Sequence, residues 1–297
     1  MKAEIINHGK MHTSPLTWLF RALRSIILIV LLALLLLYIF QGRLIFFPTS
    51  SIESNPAEYG MDYEDVSFMS ADGTKLTGWY IRAQSPRGWV LFCHGNGGNI
   101  SHRLGNAEFL VKKMSLNVLL FDYRGYGESE GSPDEQGLYD DTLAAWKWLT
   151  TVKSAQPAST VIYGRSLGGG PAAWLAWKES AGALVLESTF SSLAEQAQRT
   201  YPFLPVKLLL RYHFDSISRV PYVGEPVMVI HSPQDDVIPF DLGQKLYEAA
   251  NTPKYFVEIS GSHNSGNYLY SQEYFQGWSS FLDRHLKKPS NSAQWDT

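Results

Sequence analysis

The chain has 297 residues, 45% of them hydrophobic and 18% charged, enough for one large domain with a sizeable core or two small ones. Its formal net charge of −3 gives no basic surplus that would point to nucleic acid. Cys93 has no second cysteine to pair with, which excludes an internal disulfide, and the sequence shows no internal repeat and no low-complexity tract.

The first feature along the chain is "SIILIVLLALLLLYIF", Ser25 to Phe40, which carries no charge. It is shorter than the ~20 residues a membrane span takes, but Leu23 and Leu44 to Phe47 extend it. Arg21, Arg24 and Arg43 can snorkel to the headgroups, and Tyr38 and Phe40 suit an interfacial belt. A buried core helix would show a polar stripe. A cleaved signal peptide would have a shorter leader and a small-x-small site after Phe40. The expectation is therefore an uncleaved transmembrane anchor over 25–43. A tail over 1–24 precedes it, a folded domain over 44–288 follows, and a short tail over 289–297 ends the chain. Lys2, Lys10, Arg21 and Arg24 lie before the span, whereas only Arg43 follows closely, ahead of Glu53, Glu58 and Asp62. That bias predicts a cytoplasmic N-terminus with the domain across the membrane.

Beyond residue 60 the pattern is regular. "YEDVSFMS" and "TKLTGWYIR" flank Asp72-Gly73 and read as a hairpin. Strands follow at "GWVLFC" (88–93), "NVLLFD" (117–122), "TVIYG" (160–164), "ALVLES" (183–188), "PVMVIH" (226–231) and "YFVEIS" (255–260). Helices are expected from Arg103 to Met114, Gly137 to Thr150, Leu167 to Lys178, Asp241 to Ala250 and Gln272 to Leu286. Strands this apolar are buried on both faces, as in a parallel sheet covered by helices. The fold class is α/β, with about eight mostly parallel strands and helices on both faces. Ligands of such sheets bind at the carboxyl ends of the strands.

Chemistry-bearing residues do follow those ends. After 160–164 comes Gly164-Arg165-Ser166-Leu167-Gly168, a G-x-S-x-G turn between strand and helix that would present Ser166 as a nucleophile. After 226–231 comes "SPQDDVIP", which offers Asp235 and Asp236; side-chain direction alone does not separate them, and one could be a loop or capping residue. After 255–260 comes "GSHNSGNY", where His263 falls third in the order Ser…Asp…His. After 88–93 comes "HGNGGN", which lacks the lysine of a phosphate loop but can aim a backbone N–H at an oxyanion, together with the N–H of Leu167. His94 in that stretch reads as a structural hydrogen-bonder. Between the strands at 183–188 and 226–231 lies a short lid-like insertion. Phe190, Leu193, Tyr201, Phe203, Leu204, Leu208 to Leu210 and Phe214 make it apolar enough to line an acyl groove, with Phe190, Leu193 and Phe203 as the expected substrate-binding residues.

Taken in order, "HGNGGN", "FDYRGYGESEG", "YGRSLGG", "VIHSPQDDVIP" and "GSHN" resemble the motifs of the α/β-hydrolase superfamily. The chain is most similar to its small membrane-anchored YfhR-type bacterial branch, and related motifs occur in animal α/β-hydrolase-domain depalmitoylases. The resemblance covers about residues 45 to 287 and includes the anchor. It implies Asp235 as the acid, with Glu187, one strand earlier, as its rival, and it implies Asn96 as the second oxyanion donor. It gives the Asp122–Gly131 stretch no catalytic role, and Arg124 reads as structural. The implied activity is that of a single-pass inner-membrane serine hydrolase, facing the periplasm and acting on small or lipid-like acyl esters or thioesters without a metal or organic cofactor. A peptidase of the same fold, or a noncatalytic binding protein built on it, is the alternative. The oligomeric state is left open.

Overall fold

The computed structural model describes residues 15–289, so the expected tails fall partly (1–24) or almost wholly (289–297) outside the described residues. The chain divides into two compact units, residues 1–41 and 42–297. Helix α1, Pro15–Ile45, begins well ahead of the charge-free run. Between Arg24 and Gln41 the helix is apolar around its whole circumference, and most of its Leu, Ile, Val and Phe side chains are exposed. It is long and apolar enough to cross a membrane.

The second unit is built on eight strands: β1 Asp62–Met69, β2 Lys75–Arg82, β3 Trp89–Cys93, β4 Asn117–Phe121, β5 Thr160–Arg165, β6 Ala183–Glu187, β7 Val227–His231 and β8 Lys254–Glu258. They lie in the order β1-β2-β4-β3-β5-β6-β7-β8. β2 runs antiparallel to both β1 and β4, and every pairing from β4 to β8 is parallel. Every residue of β3 to β7 is buried, which is why these strands read as continuous apolar runs. Alternate residues feed two cores. Leu91, Leu119, Ile162, Leu184 and Val229 face one layer of helices. Val90, Val118, Val161, Val185 and Met228 face the other.

The helices are α2 Leu104–Glu108, which continues as a π turn over Phe109–Lys113, α3 Glu135–Thr151, α4 Gly169–Lys178, α5 Leu193–Thr200, α6 Val206–Leu209, α7 Phe240–Ala249 and α8 Gln272–His285. α3 starts before Gly137 because the Asp134 carboxylate accepts the Gly137 N–H and caps the end. Arg124 bonds Asp141 of α3 and Asp72 of the β1–β2 turn, so it ties the hairpin to the helix layer. The chain leaves β3 toward β4 on one side, while β5 pairs on its other side. That reversal opens a crevice at the carboxyl ends of β3 and β5.

Candidate active site

Ser166 directly follows β5 and holds φ at 54°, a left-handed conformation that a side chain normally avoids. The strain is of order 1–3 kcal/mol and is held by close packing on either side. A Cβ at Gly164 would lie 2.5 Å from the Ala172 Cβ, and one at Gly168 would lie 2.0 Å from the Cys93 carbonyl oxygen. Glycine at these two positions is what lets strand, turn and helix approach so closely. Thr189 Oγ1 donates to the Ser166 carbonyl (2.6 Å) and fixes the turn from the β6 side.

His263, on the loop after β8, has its Nε2 3.0 Å from Ser166 Oγ and its Nδ1 2.8 Å from Asp235 Oδ2. A carboxylate only accepts, so Nδ1 carries the proton and Nε2 is left to accept from the serine hydroxyl. The other oxygen of Asp235 accepts the N–H groups of Val237 and Ile238. Burial opposes ionisation of Asp235, but hydrogen bonds from His231, His263 and Ile238 outweigh it and hold its pKa well below the usual carboxylate range. Asp236 contributes differently: its Oδ1 accepts the backbone N–H of His263 (3.0 Å) and shapes the histidine loop. Glu187 is buried, and its carboxylate is occupied by Arg165, Tyr268 and Tyr274 rather than by His263.

The two expected oxyanion donors flank Ser166. Neither the Asn96 nor the Leu167 backbone N–H has a hydrogen-bond partner among the described residues. The Asn96 side chain braces its loop: Nδ2 donates to the Ile45 carbonyl (2.5 Å), and Oδ1 accepts from the Phe47 N–H (3.1 Å) and the Tyr126 hydroxyl (2.8 Å). Behind the loop, His94 is fully buried and donates from Nδ1 to the Gly95 carbonyl. Burial, with the nearby Arg103 charge adding to it, lowers its pKa to about 3 and keeps it neutral.

Ser166 and His263 open into a groove of about 490 Å³. Phe190 and Leu193 line it as expected, joined by Leu44, Ile45, Phe47, Tyr201, Val237 and Ile238. Phe203 does not line it. It is 98% exposed on the turn that follows α5, because the chain leaves the groove wall after Tyr201. Sequence reasoning also missed Arg103, whose guanidinium reaches back over the glycine loop to the carbonyls of Gly95 (3.4 Å) and Gly97. Its place at the loop's return into a helix was the available signal. Among the described residues no group of three or more His, Cys, Asp or Glu side chains could hold a metal.

Comparison with known proteins fits this architecture. The family model for the alpha/beta hydrolase fold matches residues 88–287. An uncharacterised protein of Mycobacterium tuberculosis, Rv2307c, is 39% identical over 84% of this chain and 90% of its own length. YfhR of Escherichia coli K12, also uncharacterised, is 34% identical over 69% of this chain and 76% of its own. Among solved structures, the esterase Pf2001 of Pyrococcus furiosus superposes with a TM-score of 0.67 at 20% identity, covering 82% of this chain and 98% of that one. At that identity the likeness concerns the fold. With relatives this similar along most of its length, the chain belongs to the α/β-hydrolase superfamily, in its YfhR-type branch.

Proposed function

We propose that the protein is a membrane-anchored serine hydrolase that cleaves carboxylic ester or thioester acyl groups. Ser166 Oγ attacks the acyl carbonyl while His263 Nε2 takes its proton. The carbonyl oxygen becomes an oxyanion held by the N–H groups of Asn96 and Leu167. Collapse breaks the bond to the leaving alkoxide or thiolate, which receives the proton from His263 and departs. Water, deprotonated by His263, then attacks the acyl-serine, and its breakdown returns the proton to Ser166 and frees the acid. Asp235 keeps the imidazole in the tautomer that accepts at Nε2 and balances the imidazolium. These steps call for no cofactor.

The observation that carries this reading is the relay from Ser166 Oγ to His263 Nε2 (3.0 Å) and from His263 Nδ1 to Asp235 (2.8 Å), set at a strained strand-to-helix turn. The apolar groove beside it favours acyl groups over long peptides. Fluorophosphonate labelling of the full-length chain in a nonionic detergent tests it. Wild type should label and should hydrolyse p-nitrophenyl acyl esters, and Ser166→Ala should lose both, by at least ~10³-fold in rate. Retained labelling of the alanine variant refutes the nucleophile. An unreactive wild type favours a noncatalytic binding role, and higher kcat/KM on peptide amides than on any ester favours a peptidase.

A further inference from the structure

We infer that Arg103 makes the groove selective for acyl esters whose leaving group carries an anion, a phosphate or a carboxylate; this rests on the hydrolase reading above. Two arginines, Arg103 and Arg165, line the groove, and among the described residues no carboxylate side chain lines it. The two cations are not equivalent. Arg165 is paired with buried Glu187 (3.2 Å), and it also donates to the Tyr268 hydroxyl and the His263 carbonyl, so its charge is neutralised and its fork is spent on holding the histidine loop. Arg103 has no carboxylate within ion-pair distance among the described residues. Its Nη2 donates only to the neutral carbonyls of Gly95 and Gly97, and its Nε is buried with no partner.

An arginine has five N–H donors in a rigid fork and does not give up its charge at neutral pH. Burial, with Arg165 beside it, lowers the Arg103 pKa to about 10, which still leaves it protonated. The carboxyl with the greatest influence on it is Asp122, and burial raises that group to about 8, so it is mainly neutral at pH 7. A half-buried cation lacking a counter-ion gives up part of its solvation, and an anion arriving with substrate relieves that cost. Geometry gives the anion its place. The guanidinium stands on the glycine loop that carries Asn96, and a Cβ at Gly95 would lie 3.2 Å from the Ser166 Cβ, so loop and nucleophile are in contact. Apolar walls come from α5 and the segment after β7, and from Leu44, Ile45 and Phe47, which lie against the loop. An acyl chain along Leu193 and Val237 leaves the polar half of the ester facing the loop and Arg103.

A paired-substrate experiment on the full-length chain in nonionic detergent tests this. One pair is 4-acetoxybenzoate and its neutral methyl ester; the other is 1-oleoyl-glycerol 3-phosphate and neutral 1-oleoylglycerol. Arg103→Gln should lower kcat/KM about 10- to 100-fold more for the anionic member than for its neutral partner. Arg103→Lys should keep much of the preference. Selectivity in the oleoyl pair alone identifies a lipid headgroup, and selectivity in both identifies a general anion site. Equal losses within both pairs would make Arg103 a brace for the loop and overturn the proposal, as would no loss at all. Failure of wild type to cleave any of the four esters refutes the hydrolase reading itself. Should Arg103→Gln lose its cooperative melt, wild type still decides: benzoate or inorganic phosphate must inhibit methyl 4-acetoxybenzoate hydrolysis competitively, and its failure to do so overturns the anion site.

Discussion

Ser166 occupies a backbone conformation costing about 1–3 kcal/mol, and the glycines two before and two after it make that conformation possible. The pattern was visible in the sequence because its cause is local: strand, turn and helix meet within five residues. The choice between the two candidate acids was not visible in the same way. Asp235 and Asp236 are adjacent and chemically identical, and only the turn decides between them. In the folded chain the Val237 and Ile238 N–H groups hold one oxygen of Asp235, leaving the other for His263, while Asp236 takes the histidine's backbone N–H. Replacing Asp235 with Asn should therefore cost about 10⁴-fold in kcat, because an amide stabilises the wrong imidazole tautomer. Asp236→Asn and Glu187→Gln should cost far less in kcat, the latter mainly in stability, since Glu187 holds Arg165 and two tyrosine hydroxyls. Steady-state kinetics beside thermal melts of the three variants check this. A crippling Glu187→Gln with an unchanged melt would move the acid one strand earlier.

At the scale of elements, the central strands were legible because strands buried on both faces carry apolar runs, and in β4 to β7 the polar residues Asn117, Thr160, Arg165, Glu187 and His231 sit only at the strand ends. The insertion after β6 was not, because its apolar residues serve different neighbours. Phe190 and Leu193 reach the groove, Phe214 packs into the core, and Phe203 faces solvent. Nor does periodicity reveal that the segment just after α1 closes the glycine loop, through Pro48 pairing with Gly98 and Asn96 bonding Ile45 and Phe47. The other side of that loop is held by Asp122, which follows β4 and accepts the Ile100 N–H (3.0 Å). Burial raises its pKa to about 8, with Arg103 opposing and Glu128 adding to the shift. Between about pH 4 and 8 the folded chain thus binds a proton that the unfolded chain has released. Stability falls as pH rises through that window, by up to about 1.4 kcal/mol per unit from this group. Asp122→Asn removes the slope, so wild type should lose melting temperature relative to the variant between pH 5 and pH 8. Parallel melting curves across that range would show that Asp122 is already ionised in the native state.

At the scale of the whole molecule, a membrane-spanning α1 would fix the side on which the folded domain lies. Helix α1 has 31 residues, about 46 Å at 1.5 Å per residue, well over the ~30 Å hydrocarbon thickness. Arg24 and Arg43 bracket the part that fits, about 28 Å apart along the helix, so each guanidinium can reach a headgroup layer. The flanks differ in charge. Lys2, Lys10, Arg21 and Arg24 lie on the N-terminal side, whereas Arg43 is followed by Glu53, Glu58 and Asp62. Basic residues close to a span are retained on the cytoplasmic side, and acidic ones contribute little. The expected topology is a cytoplasmic N-terminus with the hydrolase domain on the opposite face, which in a bacterium with two membranes is the periplasm. Fusions made after residue 60 to alkaline phosphatase, active only outside the cytoplasm, and to a fluorescent protein that matures only inside it read the orientation directly. The phosphatase fusion should be active and the other dark. Exchanging Arg21 and Arg24 for Glu should weaken that bias and raise the cytoplasmic signal. A bright cytoplasmic fusion in the unmodified chain would place the candidate site on the inner face instead.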